Sequence, residues 1–131
     1  MSHFSRIKTA LRDRDLLTTS LEELGYEVVE GGTIKGRRGL RQVDLSVRTR
    51  DGNGIGFVQD GDGCYTLVAD WYGVGWKDRK NISRLDTTLA RVQKRYAERL
   101  VVEKAEEQGF SVAERTEEPD GTIRIIVRRW T

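Results

Sequence analysis

Cysteine, histidine, proline and methionine each occur once in 131 residues. One cysteine excludes an internal disulfide framework and any multi-cysteine metal site. One histidine, His3, excludes His-pair zinc motifs. No apolar run approaches the roughly 18 residues that a membrane-spanning helix needs. The opening Met1-Ser2-His3-Phe4-Ser5-Arg6 has no apolar stretch behind a charged start, so it does not read as a secretory signal. The expected compartment is therefore cytoplasmic, without membrane association. Low-complexity segments and Pro- or Ser-rich linkers are absent too, so residues 1–131 are expected to form one domain. A chain of this length can bury about two-thirds of its unfolded surface and needs no covalent staples.

What is present is charge and glycine. The chain is 34% charged, with 23 basic and 21 acidic residues and a net charge of +2. That sum implies no anionic partner by itself. The distribution is more informative. Ile34–Arg50 holds six basic residues and one acid, and Trp76–Arg99 eight basic and three acidic. Val101–Asp120 holds seven acidic and two basic residues. A bipolar surface is expected, suited to a charged partner or to self-association; a solvated surface with no target is the alternative.

Apolar periodicity outlines the elements. Phe4–Lys8 is short and extended. Leu16, Leu17, Leu21 and Leu24 place one apolar face on a helix over Asp13–Leu24, and Gly25 stands at its stop position. Tyr26–Glu30 reads as a strand, as does Gln42–Arg50, where Val43, Leu45 and Val47 alternate with Asp44, Ser46 and Arg48. Asp51-Gly52-Asn53-Gly54 and Asp60-Gly61-Asp62-Gly63 are hairpin signals around a strand at Ile55–Gln59. Cys64–Trp71 is a further strand, and Tyr72–Asn81 a loop. A long helix is predicted from about Ser83, its N-cap, to Gln108. Its buried stripe would be Leu85, Leu89, Val92, Tyr96, Leu100 and Val101. Phe110–Arg115, a turn at Pro119-Asp120-Gly121 and Thr122–Trp130 complete the chain.

Leu24-Gly25-Tyr26-Glu27-Val28 matches Gln108-Gly109-Phe110-Ser111-Val112 as helix end, glycine, aromatic, any residue, valine. Chance similarity is one explanation. The other is two β-α-β-β units with a hairpin strand between them. The expected fold is α+β: an antiparallel sheet with two helices packed on one face, the repeat implying a pseudo-twofold.

Candidate sites are few. His3 stands at a terminus without a partner, and Cys64 lacks an identifiable base, so neither forms a nucleophilic constellation. Asp60-Gly61-Asp62-Gly63 lacks the closing Glu of a calcium loop and reads as a turn. Lys35-Gly36-Arg37-Arg38-Gly39-Leu40-Arg41 is a mobile basic loop without the Gly-Lys-Ser/Thr ending of a phosphate loop; Arg37, Arg38 and Arg41 could meet phosphates or an acidic protein patch. Trp71, Tyr72 and Trp76, with the acid Asp70, form a cluster whose aromatics either cap the core or anchor a partner. If the last strand lies near Gln42–Arg50, then Arg48, Arg50, Arg124 and Arg128 gather beside Trp130. That arrangement suits phosphate contact and base stacking, whereas acids opposite the arginines would make routine cross-strand pairs. No metal or cofactor is implied.

Several segments carry a resemblance. They are Met1-Ser2-His3-Phe4-Ser5 followed by Ile7-Lys8-Thr9, Gly56-Phe57, Leu67-Val68-Ala69-Asp70-Trp71, Gln93 with Tyr96-Ala97, Gln108-Gly109-Phe110 and Asp120-Gly121-Thr122-Ile123-Arg124. In this order they resemble a conserved family of cyanobacteria and algal plastids, domain of unknown function twelve fifty-seven. Arg37-Arg38 and Gly73-Val74-Gly75-Trp76 depart from its form. The resemblance implies a small cytosolic or stromal protein and supplies no catalytic residue. The expected function is a non-catalytic interaction module, an adaptor or assembly factor docking a larger protein through Arg37, Arg38, Arg41, Asp70, Trp71, Tyr72 and Trp76. The alternative is a nucleic-acid or nucleotide-binding domain using the arginine face. Homo-oligomerisation is compatible with either.

Overall fold

The computed structural model describes residues 4–36, 39–48, 55–70 and 79–129. In chain order the elements are β1 (Phe4–Lys8), α1 (Arg14–Glu23), β2 (Glu27–Glu30), β3 (Thr33–Gly36), β4 (Gly39–Gln42), β5 (Leu45–Arg48), β6 (Ile55–Gln59), β7 (Tyr65–Asp70), α2 (Arg79–Glu107), β8 (Phe110–Glu117) and β9 (Ile123–Arg129). Five strands form an antiparallel sheet in the order β1-β7-β6-β5-β2. The pairs β3-β4 and β8-β9 form two separate two-stranded sheets. The fold is α+β, as the periodicity predicts.

The main core follows from alternation on the strands meeting periodicity on the helices. Leu45, Val47, Ile55, Phe57, Tyr65, Leu67 and Ala69 all point to one face of the sheet. Leu16, Leu17 and Leu21 of α1 and Leu89, Val92 and Tyr96 of α2 pack against them. Both helices therefore lie on that face. Asp13 caps α1, its Oδ1 accepting from Leu16 N at 3.1 Å. The phenol of Tyr96 accepts from the backbone N–H of Arg12 (3.3 Å) and Asp13 (2.9 Å), tying α2 to the entry of α1. Gly25 and Gly109 follow their helices at φ 93° and 87°, a left-handed backbone that favours glycine.

The opposite face of the sheet is covered at its centre. Ile34 of β3 packs there with Val43, Val68 and Val58. Gly56 lies on this face opposite Val68, and a Cβ at position 56 would stand 2.9 Å from Val43 Cβ. The basic segment expected as a loop therefore contains parts of two paired strands, with Lys35 opposite Leu40. Their glycines and charges carry no alternation signal, and Ile34 anchors the pair. Val43, read from the sequence as one core residue with Leu45 and Val47, belongs to this second cluster.

The chain departs from expectation most at α2. The helix begins at Arg79, so Ser83 is an interior residue and not its cap. No Gly or Pro interrupts residues 79–83 to stop the helix there. Beyond Tyr96 the expected stripe fails: Leu100 and Val101 are exposed. Twenty-nine residues span about 44 Å at the helical rise, while strands of five or six residues span roughly 20 Å. The second half of α2 thus outruns the sheet. It meets the hairpin of β8 and β9, which has its own pairing and a bulge between Val112 and Glu114.

Candidate functional site

The far end of α2 and the β8-β9 hairpin form an incomplete second layer. Register puts Ile123 and Ile125 on the same hairpin face as Glu117 and Arg115. That face looks toward α2, because Glu117 meets Lys94 at 2.8 Å and Arg115 grips Glu98 through two nitrogens. Such two-point guanidinium–carboxylate contacts fix orientation as well as distance. The hydrogen bond from Arg115 holds the Glu98 carboxyl below its ordinary range despite the opposing effect of burial. Lys94 does the same for Glu117.

Between these ion pairs lies an open groove of about 440 Å³, lined by Lys94, Ala97, Glu98, Val101, Ile123 and Ile125 among others. Val101 remains 52% exposed and Val112, on β8, 39%. The main core contrasts with this: its void of about 10 Å³, lined by Leu21, Phe57 and Val92 among others, is too small for a ligand larger than water. The sequence signal for the groove on α2 was Val101, read instead as core.

The opposite hairpin face carries Arg124, Ile126 and Arg128, all exposed. Arg124 lies opposite Thr116 and Arg128 opposite Ser111, and neither arginine has an ion pair among the described residues. Arg48 differs. It lies opposite Glu27 in β2 and approaches it to 3.9 Å, a routine exposed cross-strand pair. Arg48 belongs to the five-stranded sheet and Arg124 and Arg128 to the hairpin, so no sheet unites them. Arg129, beyond them on β9, stacks its guanidinium 5.2 Å from the Phe110 ring centroid.

The other expected site residues divide sharply. Arg41 sits half-buried in β4 opposite Ile34, and its Nε is buried without a hydrogen-bond partner among the described residues. Asp70 ends β7. Arg37, Arg38, Arg50, Trp71, Tyr72, Trp76 and Trp130 lie outside the described residues, as does His3. Cys64 is buried at the head of β7. Both acids of the Asp60–Gly63 turn have structural work. Asp60 accepts from Thr66 Oγ1, and Asp62 accepts from Cys64 N (3.0 Å) and meets Lys8 Nζ (2.8 Å). The expected charge polarity is also partly internal. Basic α2 residues pair with acids elsewhere: Lys94 with Glu117, and Arg95 and Arg99 with Glu23 of α1.

No described helix is long and apolar enough to cross a membrane. No cluster of three or more potential metal ligands occurs among the described residues. No solved structure matches the chain. Uncharacterized proteins ycf35 match it nearly end to end. The one from Pyropia yezoensis is 30% identical over 99% of this chain and 98% of its own length. That from Guillardia theta is 33% identical and that from Cyanophora paradoxa 28%, over the same shares. The model of a protein family of unknown function, DUF1257, matches residues 20–126. With the family model spanning most of the chain and relatives covering almost all of it, this protein belongs to the DUF1257 family.

Proposed function

We propose that this protein is a non-catalytic interaction module that docks a larger protein, acting in the cytoplasm or plastid stroma. The observation that carries the reading is the groove between α2 and β9. Apolar side chains buried in a core at one end of α2 continue along the same helix as exposed surface at the other. A groove of this kind, framed by oriented ion pairs, has the apolar centre and polar rim of a protein interface. The basic Arg37, Arg38 and Arg41 segment and the Trp71–Trp76 aromatics are further candidate contacts.

A tagged pull-down from the native host, with and without nuclease, tests this. A stoichiometric protein should survive nuclease and be lost with Val101→Asp. Val101 is exposed enough that this change should cost the fold no more than about 0.5 kcal/mol. Retention of every partner by Val101→Asp would contradict the groove as the docking surface.

A second reading rests on Arg124 and Arg128. Two exposed arginines on one strand face, without an ion pair among the described residues, suit phosphate contact. Recovery of nucleic acid, with an affinity that falls steeply with salt, would favour it.

A further inference from the structure

Two strand edges in this fold complement each other in charge, shape and hydrogen-bond phase. β2 ends the five-stranded sheet, and β9 pairs only with β8, so each has an unpaired edge among the described residues. Unpaired edges are templates for strand addition. The β2 edge is Glu27-Val28-Val29-Glu30 and the β9 edge Ile123-Arg124-Ile125-Ile126-Val127-Arg128-Arg129. One is acidic and the other basic. Each exposes one large apolar residue on the side away from the helices, Val29 at 41% and Ile126 at 37%.

The backbone phase narrows the register. Gly31 N donates to Asp44 O at 2.6 Å, and Gly31 continues the β2-β5 pairing. By alternation, the peptide groups of Glu27 and Val29 face β5, and those of Val28 and Glu30 face the free edge. Glu118 N donates to Thr122 O at 2.8 Å in the hairpin. The same alternation turns Arg124, Ile126 and Arg128 toward β8, and Ile125 and Val127 toward the free edge. An antiparallel ladder between the two edges must therefore pair Val28 or Glu30 with an odd-numbered residue of β9. Only one of the available registers sets Glu27 on an arginine and Val29 on a large apolar residue, leaving Glu30 on an isoleucine. In it Val28 lies opposite Val127, Glu30 opposite Ile125, Val29 opposite Ile126 and Glu27 opposite Arg128.

We infer that β9 of one copy adds antiparallel to β2 of a second copy, with Glu27 against Arg128 and Val29 against Ile126. The row then reads Arg48, Glu27, Arg128 of the second copy, so one acid lies between two arginines. The helix-facing sides of the main sheet and of the added hairpin also coincide. Val28 packs toward the helices, and Val127 shares the register side opposite to Arg128. Two such exchanges about a twofold axis close a dimer, and they bring an acid to Arg128.

Sedimentation of the full chain over a range of concentrations tests the pairing. The wild type should form a dimer. Arg128→Glu and Glu27→Arg should each weaken it by roughly tenfold or more, because two symmetric pairs turn from attractive to repulsive. Combining Glu27→Arg with Arg128→Glu should restore the wild-type dissociation constant to within a few-fold. The two positions lie in different sheets, so misfolding of one variant leaves the other informative. A wild type that stays monomeric throughout would overturn the inference. So would a dimer that neither reversal weakens. A monomer whose oligonucleotide binding is lost in Arg128→Glu would assign the arginine to nucleic acid and overturn it equally.

Discussion

The two halves of α2 experience different physics. As far as Tyr96 the helix lies over a five-stranded sheet and buries Leu89, Val92 and Tyr96 against Phe57, Leu67 and their neighbours. Its second half faces a two-stranded hairpin and leaves Val101 largely in water. The first contact is held by apolar burial, the second by the pairs Lys94–Glu117 and Arg115–Glu98. The Lys94–Glu117 pair is exposed, and such pairs contribute little stability but set geometry; in the other pair the Glu98 side chain is largely buried. A hairpin held this way stays oriented while keeping Val112 and the groove residues partly exposed, as the proposed docking surface requires.

Breaking the stronger half should have the largest effect. Leu17 is fully buried, and Leu17→Ala should destabilise the whole fold by about 2–5 kcal/mol. Ile125→Ala, in the half-buried hairpin, should cost well under half of that. Chemical denaturation of the two variants compares them directly. Gly56→Ala follows in size. Its methyl would collide with Val43 on the face covered by Ile34, and overpacking of this kind costs roughly 1–3 kcal/mol. Adding Val43→Ala removes the γ carbons, so the double variant should lose less than the sum of the singles. A strictly additive pair would place the strain elsewhere. Asp13→Ala removes the α1 cap and should cost about 1 kcal/mol.

Glu98→Gln should have the smallest global effect. It loosens Arg115 and Arg95 together, and should speed amide exchange in β8 and β9 while barely moving the melting temperature. Acid should act in the same direction. Glu98 and Glu117 are held below their ordinary value of 4.5 by Arg115 and Lys94 respectively. A depressed carboxylate contributes stability that is present above its unfolded value and is lost as pH falls through the folded one. Hairpin attachment should therefore weaken below about pH 4.5 and stay constant above it, as read by exchange rates or by a fluorophore on β9.

The sequence was most legible where one local signal matched one global outcome. Leu16, Leu17 and Leu21 with Gly25 marked α1 almost to the residue. Tyr65, Leu67 and Ala69 marked the helix-facing side of β7, whose other side is buried too. Legibility failed where length or topology decided. Leu100 and Val101 continue the α2 periodicity perfectly well, but periodicity says nothing about where the opposing sheet ends. β3 and β4 are short and rich in glycine and charge, so only the burial of Ile34 against Val43 and Val68 reveals them. The repeat around Gly25 and Gly109 is real as local conformation, yet a 10-residue and a 29-residue helix deliver their strands to different places. For the site, the arginines could be recognised singly. That Arg48 has an acid opposite while Arg124 and Arg128 have hydroxyls was a matter of register.

The most direct test of the two-part account is native-state hydrogen exchange across the whole chain at low denaturant. The account predicts that amides of β5, β6 and β7 exchange only through global unfolding, while those of β8 and β9 exchange through a smaller opening of lower free energy. Equal protection in the two regions, with a shared denaturant dependence, would contradict it and make the hairpin an integral part of one cooperative core.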